Sequence, residues 1–220
     1  GIEEAASLFG EFKNPGGPGN YPEFEAYHTD RTWRENVMPA YQRWLSARDP
    51  NGIPIDVITP CSRPLNLHRI RSSLDMLVGC DHRWHVIDSS GGTFGNVERN
   101  TALDRITRDS WVYNLDDDNT IHPALAYELK AAIAAYPNAI GFVFRQLDRS
   151  GKVRLPASVP PVLGKIDTAQ FVFRRSAIGA IRWPLNRHSA DFVFARDVCD
   201  ANPGKVIAVD RPACWYNSLR

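Results

Sequence analysis

Trp111-Val-Tyr-Asn-Leu-Asp116-Asp117-Asp118-Asn119-Thr120 runs from an apolar segment straight into three consecutive carboxylates. The pattern reads as a buried strand that delivers acidic side chains to its own carboxyl end. Strand alternation would send Asp116 and Asp118 to one face and Asp117 to the other. Two such carboxylates roughly 7 Å apart repel by roughly 2 kcal/mol at an effective dielectric of about 20. A divalent cation relieves that repulsion, and hard oxygen donors suit Mn²⁺ or Mg²⁺. The plainer alternative is a solvated acidic turn that caps the next helix. An apolar strand leading directly into the acids favours the metal.

The flanks repeat a strand-then-helix rhythm. Ile55–Thr59 reads as a strand, and Pro60-Cys-Ser-Arg-Pro64 turns it into a helix with Ser62 as cap and Pro64 at its first position. Leu67, Ile70, Leu74 and Leu77 make that helix's apolar stripe. Trp84–Asp88 is the next strand, 96–106 a helix, Trp111–Leu115 the third strand, Pro123–Tyr136 a helix and Ala139–Leu147 a further strand. Such alternation predicts an α/β layer with a mostly parallel sheet, which binds ligands beyond the carboxyl ends of its strands. Cys61 to Arg63, Asp88 and Asp116 to Asp118 all stand at such ends and should meet in one crevice. The second half is less regular. It has a Pro-rich loop or short hairpin over 151–164, a strand at Thr168–Arg174, a short helix at Ser176–Ile181, a helix over Ser189–Cys199, and final strands at Lys205–Val209 and Ala213–Tyr216.

Upstream, Asn14-Pro-Gly-Gly-Pro-Gly-Asn20 is a loop by composition. Trp33, Val37, Tyr41, Trp44 and Leu45 then fall at helical spacing, so 33–47 reads as an amphipathic helix with Pro39 inside it. Residues 1–50 are therefore expected to be an N-terminal extension and 51–220 the main domain. A formal net charge of +1 with no basic tract points away from nucleic acid. No apolar run is long enough to span a bilayer. Four scattered cysteines without a CxxC pair argue against zinc and for a reducing, cytoplasmic setting, with membrane association left to a missing segment or a partner.

Taken in order, these features resemble the GT-A glycosyltransferases, a nucleotide-sugar-dependent fold with an Asp-x-Asp metal motif. Val57-Ile-Thr-Pro-Cys-Ser-Arg-Pro64 is similar to the family's opening strand and turn, and Ile87-Asp88-Ser-Ser90 to its second strand end, where an acid meets the uracil ring. Gly95-Asn-Val-Glu-Arg99-Asn100-Thr-Ala-Leu103 resembles the Arg-Asn-x-x-Leu helix of the large inverting family of cellulose- and chitin-synthase relatives. Leu115-Asp-Asp-Asp-Asn119 is similar to the motif of the inverting glucuronosyltransferases. The resemblance covers roughly residues 54 to 200. It implies Asp118 bound to Mn²⁺ or Mg²⁺, with Asp116 on ribose or a metal-bound water. Pro60, Ser62, Arg63, Asp88, Arg99, Asn100 and Asp117 would then lie around a nucleotide, UDP by analogy. For Arg99 and Arg63 a structural ion pair stays equally open.

An inverting transfer needs a base to take the acceptor hydroxyl's proton. The resemblance places it at Asp191, in His188-Ser-Ala-Asp-Phe-Val-Phe194, although Ala190 stands where a Glu is usual. Asp191 as a helix cap is the competing role. Asp167 is the rival base, and His188 stays outside the expected set. The implied activity is transfer of a sugar from a nucleoside-diphosphate sugar to a glycan or other hydroxyl acceptor. A haloacid-dehalogenase-like phosphatase using Asp116 as nucleophile and Asp118 as acid/base is one alternative. A non-catalytic domain of the same fold is another.

Overall fold

A computed structural model describes residues 52–89, 94–185 and 188–220. The extension 1–50 and the helix expected over 33–47 lie outside the described residues.

The sheet is built on β1 (Ile53–Cys61), a strand whose last seven residues are all buried. Burial on both faces is what a central parallel strand requires, and it accounts for Ile55, Val57 and Ile58, while Asp56, buried among them, is paired with Arg108 and His85. β1 pairs in parallel with β2 (Cys80–Asp88) on one side and β3 (Trp111–Asn114) on the other. Between them come α1 (Leu67–Leu74) and α2 (Asn96–Arg105). β4 (Thr120–Ile121), α3 (Leu125–Ala135), β5 (Gly141–Leu147), β6 (Val153–Leu155), β7 (Phe171–Arg174), α4 (Ala190–Ala201) and β8 (Val206–Trp215) complete the described elements. The strand order is β2-β1-β3-β7-β5-β8-β4, with β6 added to β5. β1, β2, β3, β5 and β8 share one direction, whereas β7, β4 and β6 run against it.

The expected α/β class with a mostly parallel sheet is therefore the observed one; of the reversed strands, β6 and β7 fall in the less regular second half, and β4 is a two-residue strand just after the acidic turn. β7 lies antiparallel between β3 and β5, so its entrance, residues 167–170, sits at the end of the sheet where β3 delivers its acids. Two apolar layers cover the faces. One gathers Ile55, Val57, Ile70, Tyr113, Leu125, Leu129 and Phe144; the other gathers Ile58, Leu103, Val112, Phe171, Phe173, Trp183 and Phe194. Trp183 stacks on Phe194 at 4.0 Å, which seats α4 against the second layer.

Local departures have local causes. The first helix opens as a 3-10 turn at Pro64–Asn66 without a side-chain cap, because Ser62 is engaged elsewhere. The two expected final strands are one strand, with a register shift against β5 around Arg145 that absorbs Asp210, Arg211 and Ala213. The strand expected from Thr168 begins only at Phe171, because Asp167 caps a 3-10 turn over Thr168–Gln170 through a reciprocal bond with Gln170. The Pro-rich stretch contributes β6, which forms the short hairpin with β5.

Candidate functional site

β3 ends at Asn114, and the acids follow in a tight turn closed by Asn119 N–H donating to the Asp116 carbonyl at 3.0 Å. The three carboxylates diverge because the chain turns, rather than by strand alternation, and each meets a different partner.

Asp117 is buried and faces β1. Its carboxylate accepts from Ser62 N (2.5 Å), Ser62 Oγ (2.9 Å), Arg63 N (2.6 Å) and the Arg63 guanidinium. Four donors saturate it, and through them Asp117 ties the β1 turn to the β3 turn. Ser62 is consumed by the same knot. Asn66 Nδ2 adds a bond to the Asp117 carbonyl at 2.8 Å.

Asp116 turns the other way and pairs with the Arg99 guanidinium, while Thr168 Oγ1 donates to its second oxygen at 3.3 Å. Arg99 is 3% exposed. It also donates to the Phe94 carbonyl (2.9 Å) and Asn96 Oδ1 (3.1 Å) and lies 5.2 Å from the Trp183 ring. Of the two roles open for Arg99, the ion pair is the one seen, and its partner is Asp116. Asn100 closes a reciprocal amide pair with the backbone of Trp183, at 2.9 and 2.8 Å, so its side chain anchors the 183 loop. Gly95 is held at φ +75°, and a methyl there would stand 2.8 Å from Pro60. Only glycine lets α2 begin this close to the β1 turn. Asp88 ends β2, exposed, opposite Cys61.

Asp118 is 5% exposed. Burial, and next the Asp116 charge, push its carboxyl above the ordinary range, and Arg220 and Arg63 offset part of that rise. Arg220 Nε donates to Asp118 Oδ2 at 2.6 Å, and Arg63 approaches the same oxygen at 3.4 Å. These residues fit a hard divalent cation of the kind held by one or two carboxylates plus substrate phosphates and water. The buried carboxylate still feels its neighbour's repulsion and already draws in cationic groups. Among the described residues no three acidic, His or Cys side chains form a closed chelate, so further ligands would have to come from substrate or solvent.

The second pair of acids converges from β7 and α4. Asp167 is raised by burial and by Asp116, and is restrained by Ala169 N–H (3.1 Å) and Arg154 (3.3 Å). Asp191 sits half-buried in the first turn of α4, which it does not cap; the N-cap is Ser189, without a side-chain bond. Its carboxyl is raised to about 7, by burial first and then by the charges of Asp167 and Asp116. Arg99 and the Thr168 N–H pull it back. Thr168 thus serves both sides, its hydroxyl on Asp116 and its amide on Asp191. A carboxylate titrating near neutrality beside a buried guanidinium can accept a proton from a hydroxyl.

Sequence reasoning missed Thr168, Arg154 and Arg220. Arg154 lies 3.6 Å above the Tyr216 ring and also bonds Gln146. Arg220 is 102 residues from the carboxylate it pairs with, so no local spacing announces it. His188, left outside the expected set, is exposed and lies against Phe94 with ring centres 4.3 Å apart and the planes tilted by 52°.

No family model matches the chain. No curated protein matches it either. Among solved structures it superposes on Staphylococcus aureus TarS with a TM-score of 0.53 at 11% identity, over 74% of this chain and 36% of that one. On the 1–349 portion of TarS the TM-score is 0.52 at 13% identity, over 74% of this chain and 60% of that one. The chain therefore spans little more than a third of the length of TarS. The likeness is one of fold, a GT-A-like, Rossmann-type α/β layer. No helix among the described residues is long and apolar enough to cross a membrane.

Proposed function

We propose that the chain transfers a sugar from a nucleoside-diphosphate donor to an acceptor hydroxyl. The observation that carries this reading is the meeting of two carboxylate pairs across one buried guanidinium. Asp116 and Asp118 stand at the carboxyl end of β3, Asp167 and Asp191 arrive from β7 and α4, and Arg99 lies between. The division of labour is that of a donor side and an acceptor side. The fold is shared with TarS, a glycosyltransferase, which supports the same assignment.

On the donor side, Asp118 with Asp116 would hold Mn²⁺ or Mg²⁺, which supplies charge neutralisation for the departing diphosphate when bound. Arg63 and the β1 turn border that position, and Asp88 is placed to meet a base, with UDP as the favoured nucleotide. On the acceptor side, Asp191 takes the hydroxyl proton, and Asp167 keeps its proton affinity near neutrality. A single base opposite a metal-held leaving group corresponds to inversion at the anomeric carbon.

The test is calorimetric binding of nucleoside diphosphates with and without Mn²⁺, followed by a donor screen scored for hydrolysis and transfer. Metal-dependent UDP binding that Asp118→Ala abolishes in a folded protein is the expected result. Equal nucleotide affinity in the presence of EDTA would overturn the donor-side assignment. Binding without turnover on any donor and acceptor would leave the non-catalytic reading in its place.

A further inference from the structure

Segment Asn217–Arg220 is fastened directly onto the acidic turn. Leu219 N–H donates to the Asp118 carbonyl at 3.0 Å, Asn217 N–H to Asn119 Oδ1 at 2.8 Å, and the Ser218 hydroxyl pairs with Thr120 Oγ1 at 2.8 Å. Arg149 clamps it from the β5–β6 turn, donating at 2.5 Å to the carbonyls of both Asn217 and Arg220. The result is that the Arg220 guanidinium lies on Asp118 Oδ2 at 2.6 Å. The two partners differ sharply in burial: the Asp118 side chain is 7% exposed and that of Arg220 51%. The carboxylate is fixed in the fold, whereas the guanidinium can swing into water without uncovering a core.

From this geometry we infer that Arg220 is an internal counter-cation of Asp118 that an incoming divalent metal ion must displace, making the Arg220 side chain a movable part of the donor site. The inference rests on the proposed reading of Asp118 as a metal ligand. A guanidinium at hydrogen-bond distance occupies a lone pair that a metal ion would take and repels a second cation nearby. Arg63 does not substitute for it, because Arg63 is held by Asp117 and stands 3.4 Å from Asp118. Without metal, Arg220 compensates a buried charge that would otherwise be costly. With metal, that compensation is redundant and the arginine is released. Occupancy by metal is then coupled to the position of the Arg220 side chain.

The test titrates Mn²⁺ into the full chain at pH 8 without nucleotide, reading the free ion by electron paramagnetic resonance. Wild type should bind Mn²⁺ weakly and lose that binding in Asp118→Ala. Arg220→Gln should bind roughly two- to fivefold more tightly, the range that a partly exposed ion pair supports. Arg220→Lys, which keeps the charge, should stay near wild type, and Arg149→Ala, which loosens the clamp, should fall between. Melting curves confirm that each variant is folded. Unchanged or weaker Mn²⁺ binding in Arg220→Gln, with Asp118-dependent binding intact in wild type, overturns the inference alone. If neither protein binds Mn²⁺ through Asp118, the metal reading falls and the inference with it.

Discussion

Replacing Asp191 by Asn should make the folded chain more stable at pH 8 while removing its activity. The carboxyl is raised from 3.8 to about 7, so holding it ionised in the fold costs about 4 kcal/mol at about 1.4 kcal/mol per pH unit. Asp191 is half-buried, and water screens part of that cost, leaving about 2 kcal/mol. The first turn of α4 works in the opposite direction, favouring a carboxylate by about 0.3–1 kcal/mol that Asn forgoes. Burial wins, for a net gain of about 1–2 kcal/mol, or about 3–6 °C in melting temperature for a chain of this size. The sign follows from proton linkage. The folded state holds this proton more tightly than the unfolded one, so wild-type stability falls as pH rises from 3.8 to about 7. The advantage of Asp191→Asn should therefore be nearly absent at pH 4, grow across that window and level off above it. Calorimetric melting of both proteins at half-unit pH steps reads this directly. A variant that melts below wild type at pH 8, or whose gain does not depend on pH, would refute the claim that burial and neighbouring acids govern this carboxylate. Sugar transfer by the same variant should drop by about 10²- to 10⁴-fold with donor affinity retained.

The other predictions concern the residues around that carboxylate. Wild-type kcat/KM should show an acid limb near pH 7, and Asp167→Asn should move it to lower pH, because the Asp167 charge helps to raise Asp191; an unmoved limb in a pH–rate series would show that the two acids do not interact. Asp117→Ala leaves the part-exposed Arg63 guanidinium and the Ser62 and Arg63 amides without their acceptor, and should cost about 1–3 kcal/mol in urea denaturation. Normal stability with lost nucleotide binding would instead return Asp117 to the ligand. Gly95→Ala adds a 2.8 Å clash with Pro60 to left-handed backbone strain, whereas Gly164→Ala, at φ +73° with open space around it, bears the strain alone. Gly95→Ala should therefore melt clearly lower than Gly164→Ala, and equal melting temperatures would mean that the α2 entry does not depend on this close approach.

The strand–helix rhythm from Ile53 to Leu147 could be read from the chain alone, because strands buried on both faces are rich in apolar residues and helices packed on one side must repeat every three to four residues. The same local logic placed Cys61 to Arg63, Asp88 and the acidic triplet at the carboxyl ends of neighbouring strands. It went astray where a polar side chain's partner lies far off in sequence. Ser62 and Asn100 looked free for a cap or a ligand, yet one bonds Asp117, 55 residues away, and the other the backbone of Trp183, 83 residues away. Alternation along a strand offered two faces for the triplet, but the chain turns over Asp116–Asn119, and three directions resulted. What composition determined was which residues could be buried and which carried charge. Only the tertiary structure decided which charges meet: Asp116 with Arg99, Asp118 with Arg220, and Asp167 with Asp191. A carboxylate's pairing and proton affinity depend on distance and dielectric, and neither is a property of its neighbours in the chain.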